Sequence, residues 1–374
     1  MKKIPLCLPA VGNEEIRAVE EVLKSGWMAH GQKNHEFEDL FKEYIGVKHA
    51  ITMNSCTSAL YLAIKAMEIT GEVITPSFTF VATLNAIILA GATPVMVDIE
   101  RETRNISPNS IEEAITEKTE AIMVVHYAGL PADMPTIIEI ANKHNLKIIE
   151  DSAECLGGSY NGIKAGSYGV GCFSFFPTKN ITTGEGGMLT TNDDTLAANI
   201  KSLCAHGIDS TTFAREKAEK PWVRIASMYG YNFRLSNVLA AIGVEQMKKV
   251  DLLLTKRKDI AERYIKNLQH LRTISFQKTP EGFVNSWQMF TILIDSAIRD
   301  DMLKYLNGKG VGASVHFDPP VHLQPPYKDL RRATSLSVTE AVALSIISLP
   351  IYPTMSNDNV GFVCDVVKEF TEWA

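Results

Sequence analysis

The 374-residue chain is without any long run of apolar residues, and no segment approaches the roughly 20 residues that a membrane-spanning helix needs. It contains no extended cluster of lysine and arginine, and its formal net charge is −6. Because nucleic acids and anionic membranes both require a concentrated basic surface, we expect neither as the main partner. Apolar residues make up 45% and charged residues 21% of the chain, which is typical of a globular protein rather than a disordered one.

The six cysteines form no C-x-x-C pair, so the sequence suggests neither a zinc site nor a disulfide framework. Their scatter is typical of reduced thiols in a cytoplasmic protein, which is the location that we expect. The first residues, MKKIPLCLPAVGNEE, imitate the charged-then-apolar order of a signal peptide. Since the apolar part is short, contains prolines and is followed at once by acids, we expect no signal peptide. The histidines of HGQKNH are five apart without a third ligand and predict no metal site.

Short apolar or β-branched segments alternate with helical patterns over most of the chain. The predicted strands are HAITMN, GEVITPSF, TPVMVDI, EAIMVVHYAG, LKIIEDSAE, VGCFSFF and GGMLTTN. Amphipathic segments such as SALYLAIKAMEI and MPTIIEIANKHN lie between them. This alternation predicts an α/β fold with a mainly parallel sheet that helices cover on both faces. Ligands of such sheets bind beyond the carboxyl ends of the strands.

The pattern changes at Ser236. Residues 236–271 predict one long helix or two abutting helices that bridge two lobes, and the proline-rich remainder predicts a smaller α+β domain. We place the division so that residues 1–245 form an N-terminal arm and a large domain, and residues 246–374 form a small C-terminal domain. The polar, aperiodic segment 208–230 is expected to be an exposed loop.

The segment NSCTSALYLAI carries small hydroxyl residues where a predicted strand ends and a helix begins. Such a junction directs backbone N–H groups and the positive end of the helix outward, which suits an anion such as phosphate. The same pattern is that of an ordinary helix cap built from Ser55, Thr57 or Ser58. Both interpretations stay open at this point.

Two ionisable residues also follow predicted strands. Asp151, in IIEDSAE, ends a buried strand, where a carboxylate is costly unless it meets a cation or several donors; the alternative is a helix N-cap. Lys179, in FSFFPTKNITTGEGG, lies between an aromatic segment that includes Ser174 and a glycine-rich turn; the alternative is a solvated loop lysine. An amine held beside an apolar wall loses solvation, which favours imine chemistry.

An anion site, a buried carboxylate and a desolvated lysine together match the requirements of pyridoxal 5'-phosphate. Its phosphate needs helix-end donors, its ring nitrogen needs a carboxylate that keeps it protonated, and its aldehyde needs a lysine. The interval between Asp151 and Lys179 leaves room for a turn, the short pair GSYNGIK and one more strand. Both side chains could therefore reach one cleft.

A set of motifs runs in order through nearly the whole chain: SGWMAHGQKNHEFE, NSCTSAL, VITPSFTFVATLNAI, GATPVMVDI, PADM, IIEDSAE, FSFFPTKN, GEGGM, YGYNFRLSN, HLQPPY and SLPIYP. This ordered set resembles the DegT/DnrJ/StrS sugar aminotransferases. The resemblance implies a PLP fold-type I (aspartate-aminotransferase-like) structure with a seven-stranded sheet in its large, pyridoxal phosphate-binding domain. It also implies an enzyme of amino sugar and polysaccharide biosynthesis that aminates nucleotide-linked keto sugars with L-glutamate as the amino donor.

The resemblance assigns roles at the cofactor to particular residues. Lys179 would form the internal aldimine and act as the base of the proton shift, and Asp151 would face the pyridine nitrogen. Thr57 and Ser58 would hold the phosphate, together with the hydroxyl of Ser174.

Five further positions receive an expected role. Phe80 would stack on the cofactor ring. Asn232 would reach the phosphate of the neighbouring subunit, which implies a homodimer with shared active sites. Glu154 would lie near the phenolic oxygen of the cofactor, where many relatives have glutamine or histidine. A glutamate at this position resembles the perosamine-synthase-like branch of the family and favours a 4-keto-6-deoxyhexose as the substrate. His126 and His322 could line the substrate pocket or could be satisfied structural histidines.

Other functions are weighed against this one. A 3-keto nucleotide-sugar aminotransferase differs only in the position that is aminated. Sugar dehydratases of the family have histidine in place of the lysine, so Lys179 disfavours dehydration, and the order of the motifs disfavours an amino-acid lyase. A regulatory or interaction protein could keep the fold without catalysis, but it would have no need of Lys179 and Asp151.

Overall fold

The computed structural model describes residues 3–208, 220 and 222–373. Its N-terminal part contains nine strands, most of which form one central sheet. They are β1 (His49–Met53), β2 (Glu72–Pro76), β3 (Thr93–Val97), β4 (Thr119–Val125), β5 (Lys147–Asp151), β6 (Ser159–Tyr160), β7 (Ile163–Lys164), β8 (Val170–Ser174) and β9 (Gly187–Thr191). Seven of these form the sheet in the order β1-β9-β8-β5-β4-β2-β3. All seven predicted strands are confirmed, and β6 and β7 are the predicted short pair.

The central sheet is mainly parallel, as predicted. Strand β2 pairs in parallel with β3 and β4, β4 with β5, and β5 with β8, while β9 runs antiparallel to both of its neighbours. The carboxyl ends of β4, β5 and β8 therefore meet at one edge of the sheet. Asp151 ends β5 and Ser174 ends β8, so the two polar side chains predicted from sequence begin at the same edge.

Helices cover both faces of the sheet. They are α1 (Asn13–Ser25), α2 (Gln32–Ile45), α3 (Cys56–Ala66), α4 (Val81–Leu89), α5 (Pro108–Ala114), α6 (Met134–His144) and α7 (Asp194–Cys204). Successive side chains of a strand point to opposite faces. Accordingly, Val73 packs in the cluster that contains Leu60 of α3, and Ile74 packs in the cluster that contains Ile137 of α6. Both faces of β2 are thus buried, which explains its nearly continuous apolar sequence.

The predicted helical bridge consists of two abutting helices, α8 (Asn237–Lys248) and α9 (Val250–Leu268). The Ser236 side chain accepts a hydrogen bond from the Leu239 N–H (3.3 Å) and caps the first helix. The chain breaks at Lys249, whose φ and ψ of −120° and 13° are not helical. The boundary predicted between residues 245 and 246 falls within α8.

A smaller α+β unit follows, as predicted. Its elements are β10 (Ser275–Phe276), β11 (Phe283–Val284), β12 (Phe290–Leu293), α10 (Ser296–Gly308), α11 (Ser337–Ser345), β13 (Ile346–Leu349) and α12 (Asn357–Trp373). Strands β10, β12 and β13 form an antiparallel sheet. The N-terminal arm packs on this unit, since Ile4 exchanges backbone hydrogen bonds with Gly310 and Gly312.

Two further findings concern the chain as a whole. In the part that the structure describes, no helix combines the length and the apolar character needed to cross a lipid bilayer. Of the segment predicted to be an exposed loop, residues 209–219 and 221 lie outside the described residues, and residues 222–229 are exposed.

Candidate active site

A cavity of about 410 Å³ opens beyond the carboxyl ends of β5 and β8. Its wall includes most of the residues that the sequence predicts to bind the cofactor, namely Thr57, Phe80, Asp151, Glu154, Ser174 and Lys179. These residues come from segments that are distant in sequence and that each follow a strand or begin a helix. The fold therefore brings the predicted anion site, carboxylate and lysine to one place.

Lys179 lies in a tight turn that leaves β8. Its N–H donates to the Phe176 carbonyl oxygen (2.9 Å), and the Phe175 N–H donates to Gly186 across the base of the turn (3.0 Å). The lysine side chain is only 16% exposed, and Nζ lies 3.5 Å from Oε1 of Glu154. The alternative of a solvated loop lysine does not hold, because the amine points into the cavity beside a carboxylate.

The glycine-rich end of this turn is explained by close approach. A Cβ atom on Gly187 would lie 2.4 Å from the carbonyl carbon of Ser55 and 2.5 Å from the backbone nitrogen of Cys56. Only glycine therefore lets β9 begin against the first residues of α3. This contact brings the lysine turn and the start of α3 to opposite sides of one small space.

Asp151 is a buried carboxylate that ends β5. Its Oδ2 accepts from the Thr83 hydroxyl (2.8 Å) and its Oδ1 accepts from the Ala153 N–H (3.2 Å), so both donors are neutral groups. Burial raises the pKa of Asp151, and these hydrogen bonds oppose the rise. No helix of the described residues begins at Asp151, so the N-cap alternative does not hold. The carboxylate is suited to a cationic group that enters the cavity.

Glu154 is fixed between the lysine and the backbone of the neighbouring turn. Its Oε2 accepts from the Ala128 N–H (3.1 Å), and its Oε1 accepts from Lys179 Nζ. Ala128 has φ 57° and ψ 19°, a left-handed conformation that alanine seldom adopts. This strained peptide directs its N–H at Glu154, which holds the carboxylate on the cavity side.

At the start of α3, the hydroxyl residues were predicted to form either an anion site or an ordinary helix cap. Ser55 is the N-cap, since its Oγ accepts from the Ser58 N–H (3.1 Å), and the Ser58 hydroxyl donates to Oδ1 of Asn54 (2.7 Å). Thr57 lines the cavity together with Ser55 and Ser174. The structure thus places Ser58 in the cap rather than in the cavity wall, and leaves Thr57 at the positive end of the helix dipole.

Phe80 presents an aromatic face to the cavity. It precedes the first residue of α4, and its side chain is 61% exposed. Its ring centroid lies 6.3 Å from that of Phe317. A large exposed aromatic side chain in a cavity wall provides a flat apolar surface for a ring.

The predicted substrate role of His126 and His322 is not supported, because both side chains are fully buried and neither is among the described residues of the cavity wall. His126 Nδ1 accepts from the Ala132 N–H (3.0 Å), and Nε2 donates to Glu150 (3.0 Å). His322 Nδ1 lies 2.6 Å from the Ser77 hydroxyl. Both rings are therefore satisfied structural histidines, which was the alternative interpretation.

Sequence reasoning missed His316 and Thr83. His316 lines the cavity, its Nδ1 lies 2.9 Å from the Ser348 hydroxyl, and burial lowers the pKa of its imidazole. Thr83 lies in the first turn of α4 and donates to Asp151. The signal for Thr83 was its place after Phe80 in the segment TFVATLN. His316 gave no local signal, because it reaches the cavity from the small domain.

Asn232 does not line the cavity of its own chain among the described residues. Its side chain is exposed, and its Oδ1 accepts from Nε of Arg234 (3.1 Å). Its backbone pairs with Ala205 in an antiparallel bridge. The structure therefore places Asn232 at the surface, outside the described wall of its own chain's cavity.

The sequence profile of the DegT/DnrJ/EryC1/StrS aminotransferase family matches residues 9–368. The chain belongs to this family. It is therefore an aminotransferase, and the resemblance inferred from the motifs is confirmed across nearly the whole chain.

Individual proteins are similar to this chain over nearly their full lengths. SpsC of Bacillus subtilis, a spore coat polysaccharide biosynthesis protein, is 37% identical over 99% of this chain and 98% of its own length. S. venezuelae DesV, solved in complex with a ketimine intermediate, is 32% identical with a TM-score of 0.91, covering 100% of this chain and 99% of DesV.

The putative sugar aminotransferase Spr1654 from Streptococcus pneumoniae was solved in a PMP form and a PLP form. Each is 28% identical to this chain with a TM-score of 0.92; they cover 100% of this chain and 98% or 99% of Spr1654. These similarities confirm the predicted fold type I architecture.

Proposed function

We propose that this aminotransferase binds pyridoxal 5'-phosphate and transfers an amino group from L-glutamate to a nucleotide-linked 4-keto-6-deoxyhexose. The observation that carries the proposal is the convergence of the Lys179 amine, the buried Asp151 carboxylate and the exposed Phe80 ring on one cavity. The PLP and PMP forms of Spr1654 support the choice of cofactor. The polysaccharide role in the name of SpsC supports a sugar substrate. A cytoplasmic location stays a prediction.

The residues present fit this cofactor. Asp151 receives hydrogen bonds from neutral donors only, so a protonated ring nitrogen would supply the positive charge that a buried carboxylate needs. Phe80 would stack on the ring. Thr57, at the start of α3, and Ser174 would hold the phosphate through hydroxyl and backbone donors. Lys179 would carry the cofactor through its amine.

Different residues of the chain would then have different roles in the reaction. When bound, pyridoxal phosphate supplies an electron-withdrawing ring that delocalises the negative charge formed at the reacting carbon. Asp151 keeps the ring nitrogen protonated. Once the amine of L-glutamate has taken its place on the cofactor, Nζ of Lys179 would remove the proton from the α-carbon of that donor, and in the second half of the transfer it would deliver a proton to the sugar carbon that receives the amino group. Glu154, anchored by the Ala128 N–H, holds the amine in place.

The choice of the 4-keto position depends on Glu154, and a 3-keto nucleotide sugar is the alternative substrate. We expect purified enzyme with L-glutamate to aminate 4-keto-6-deoxy sugars of a nucleotide panel at C4, as read by NMR of the products. A panel with 3-keto sugars is the matched control. Amination of the 3-keto compounds alone would replace the C4 proposal by the alternative, and no amination of any sugar would contradict a sugar substrate altogether.

A homodimer with shared active sites is the proposed functional unit. Asn232 is exposed and is not among the described residues that line the cavity of its own chain. The neighbouring segment exposes large apolar side chains, with Trp222 72%, Ile225 73% and Tyr229 fully accessible. Such a patch is typical of a surface that another protein covers. A second copy would cover it and bring Asn232 to the partner's cofactor phosphate.

Hybrid dimers test this arrangement. Subunits with Lys179→Ala and subunits with Asn232→Ala should each be impaired alone, and mixing them should restore part of the activity. In a hybrid, one of the two sites combines the intact lysine of one chain with the intact asparagine of the other. The measurement is turnover after subunit exchange, with mixing verified by mass spectrometry. If verified hybrids recover nothing, each subunit is self-contained.

A further inference from the structure

Arg257, in α9, is a buried cation, and no carboxylate among the described residues forms an ion pair with it. Its side chain is 1% exposed, and burial lowers its pKa. Its guanidinium donates to four backbone carbonyl oxygens, NH1 to those of Trp287 (3.4 Å), Gln288 (3.2 Å) and Ile351 (3.2 Å) and NH2 to that of Lys179 (3.4 Å), and the Cys7 side chain is a further hydrogen-bond partner. Arginine is rarely buried without an acidic partner, so this placement requires an explanation.

The four carbonyl groups belong to three separate segments. Residues 287–288 and 351 flank β12 and β13 of the small sheet, whereas Lys179 is on the turn that leaves the central sheet. A planar guanidinium with five donors can bond several carbonyl groups at once, which a lysine ammonium in the same place cannot do with the same geometry. Arg257 thus joins the lysine turn to the backbone of the small domain.

Neighbouring side chains extend the same contact. The Gln288 amide donates to the Thr178 carbonyl oxygen (3.0 Å), and the Cys7 thiol lies 3.7 Å from the same oxygen. Gln288 therefore binds the lysine turn through its side chain and binds Arg257 through its own carbonyl oxygen. The carbonyl groups on both sides of the Lys179 Cα thus accept hydrogen bonds from other parts of the chain. The turn itself belongs to no helix or strand, so these contacts fix its position.

We propose that Arg257 is a positioning residue that sets where the Lys179 amine lies in the cavity. Among the described residues it does not line the cavity wall, so it acts through the backbone of Lys179 rather than on a substrate. The amine must stay within reach of Glu154, and a displacement of about 1 Å in a reacting group can cost on the order of 10²-fold in rate. The catalytic part of this inference rests on the proposed function, whereas its structural part does not.

Hydrogen exchange on the protein without cofactor tests the structural part. Arg257→Met should accelerate amide exchange in the peptide 175–183 by about tenfold, because the Lys179 and Thr183 amides donate within the turn that Arg257 holds. Arg257→Lys, which keeps the charge but replaces the planar guanidinium by a single ammonium group, should accelerate it less. The matched control is Arg299→Met, since Arg299 is also buried but bonds Ala343 and Asp318. That control should leave the peptide unchanged.

Steady-state kinetics of the loaded enzyme test the catalytic part. Arg257→Lys should lower kcat by about 10-fold to 10²-fold while KM for the sugar changes less than about threefold, because Arg257 does not contact the substrate. Unchanged exchange in peptide 175–183 of both Arg257 variants would overturn the inference, whatever reaction the enzyme catalyses. Faster exchange with an unchanged kcat would likewise overturn it. An enzyme inactive toward every keto sugar would contradict the proposed function and leave the exchange result to decide the role of Arg257.

Discussion

Replacing Lys179 by alanine should abolish turnover almost completely. The substitution removes the amine that would carry the cofactor and, with it, the base that moves the proton. Loss of a positioned acid–base group alone costs about 10²–10⁴-fold. The loss in Lys179→Ala should exceed this range, because no other described side chain of the cavity wall has an amine. The measurement is kcat with a nucleotide keto sugar and L-glutamate at saturating cofactor.

Covalent labelling identifies the reason for the loss. Borohydride reduction of the loaded wild-type protein should place a pyridoxyl group on Lys179, as found by peptide mapping, and the variant should carry none. Lys304→Ala is the matched control, because Lys304 is an exposed lysine of α10 and should keep both label and turnover. A label on another lysine would overturn the assignment of Lys179.

Asp151→Asn should keep the cofactor and lose most of its activity, by about 10²–10³-fold. The amide oxygen can still accept the hydrogen bond from the Thr83 hydroxyl, so the local structure should persist. A neutral amide, however, does not hold the proton on the ring nitrogen. Cofactor content is measured by visible absorbance and activity by kcat. Near-normal rates would mean that another residue faces the ring nitrogen.

The same substitution should change the pH dependence of stability in the protein without cofactor. Burial raises the pKa of Asp151, so the stabilisation present below its unfolded pKa is lost as pH rises through the folded pKa. Above that pH the ionised carboxylate destabilises the native state, which asparagine avoids. Asp151→Asn should therefore melt about 1–2 °C higher than wild type at pH 8, and the gain should vanish at low pH. A Tm difference independent of pH would contradict this account.

The strands could be predicted from sequence because their signal is local. Each of the seven sheet strands has a short apolar or β-branched segment bounded by turn residues, and burial of both faces explains that pattern. For residues 236–271, the sequence predicted either one long helix or two abutting helices. The helical pattern is continuous there, and the break at Lys249 separates two abutting helices that pack on different parts of the protein, α8 against α1 and α2 and α9 against α12.

The convergence of Asp151, Lys179, Ser174 and Phe80 on one cavity could also be predicted from the sequence, since each of them follows a strand or begins a helix, and the ends of parallel strands converge. Which side chains face the cavity was decided by the tertiary structure. Ser58 turned into the helix cap and His126 into the core, although both lie in the expected segments.

His316 and Arg257 show why the sequence does not reveal which side chains reach the site. Neither has a neighbour in sequence that marks it, and each acquires its role only where the small domain meets the lysine turn. A residue's type and the periodicity around it set the chemistry that it can perform and the element that it forms. Its direction, burial and partners depend on segments far away in the chain, so contacts such as that between the Arg257 guanidinium and the Lys179 carbonyl oxygen exist only in the folded protein.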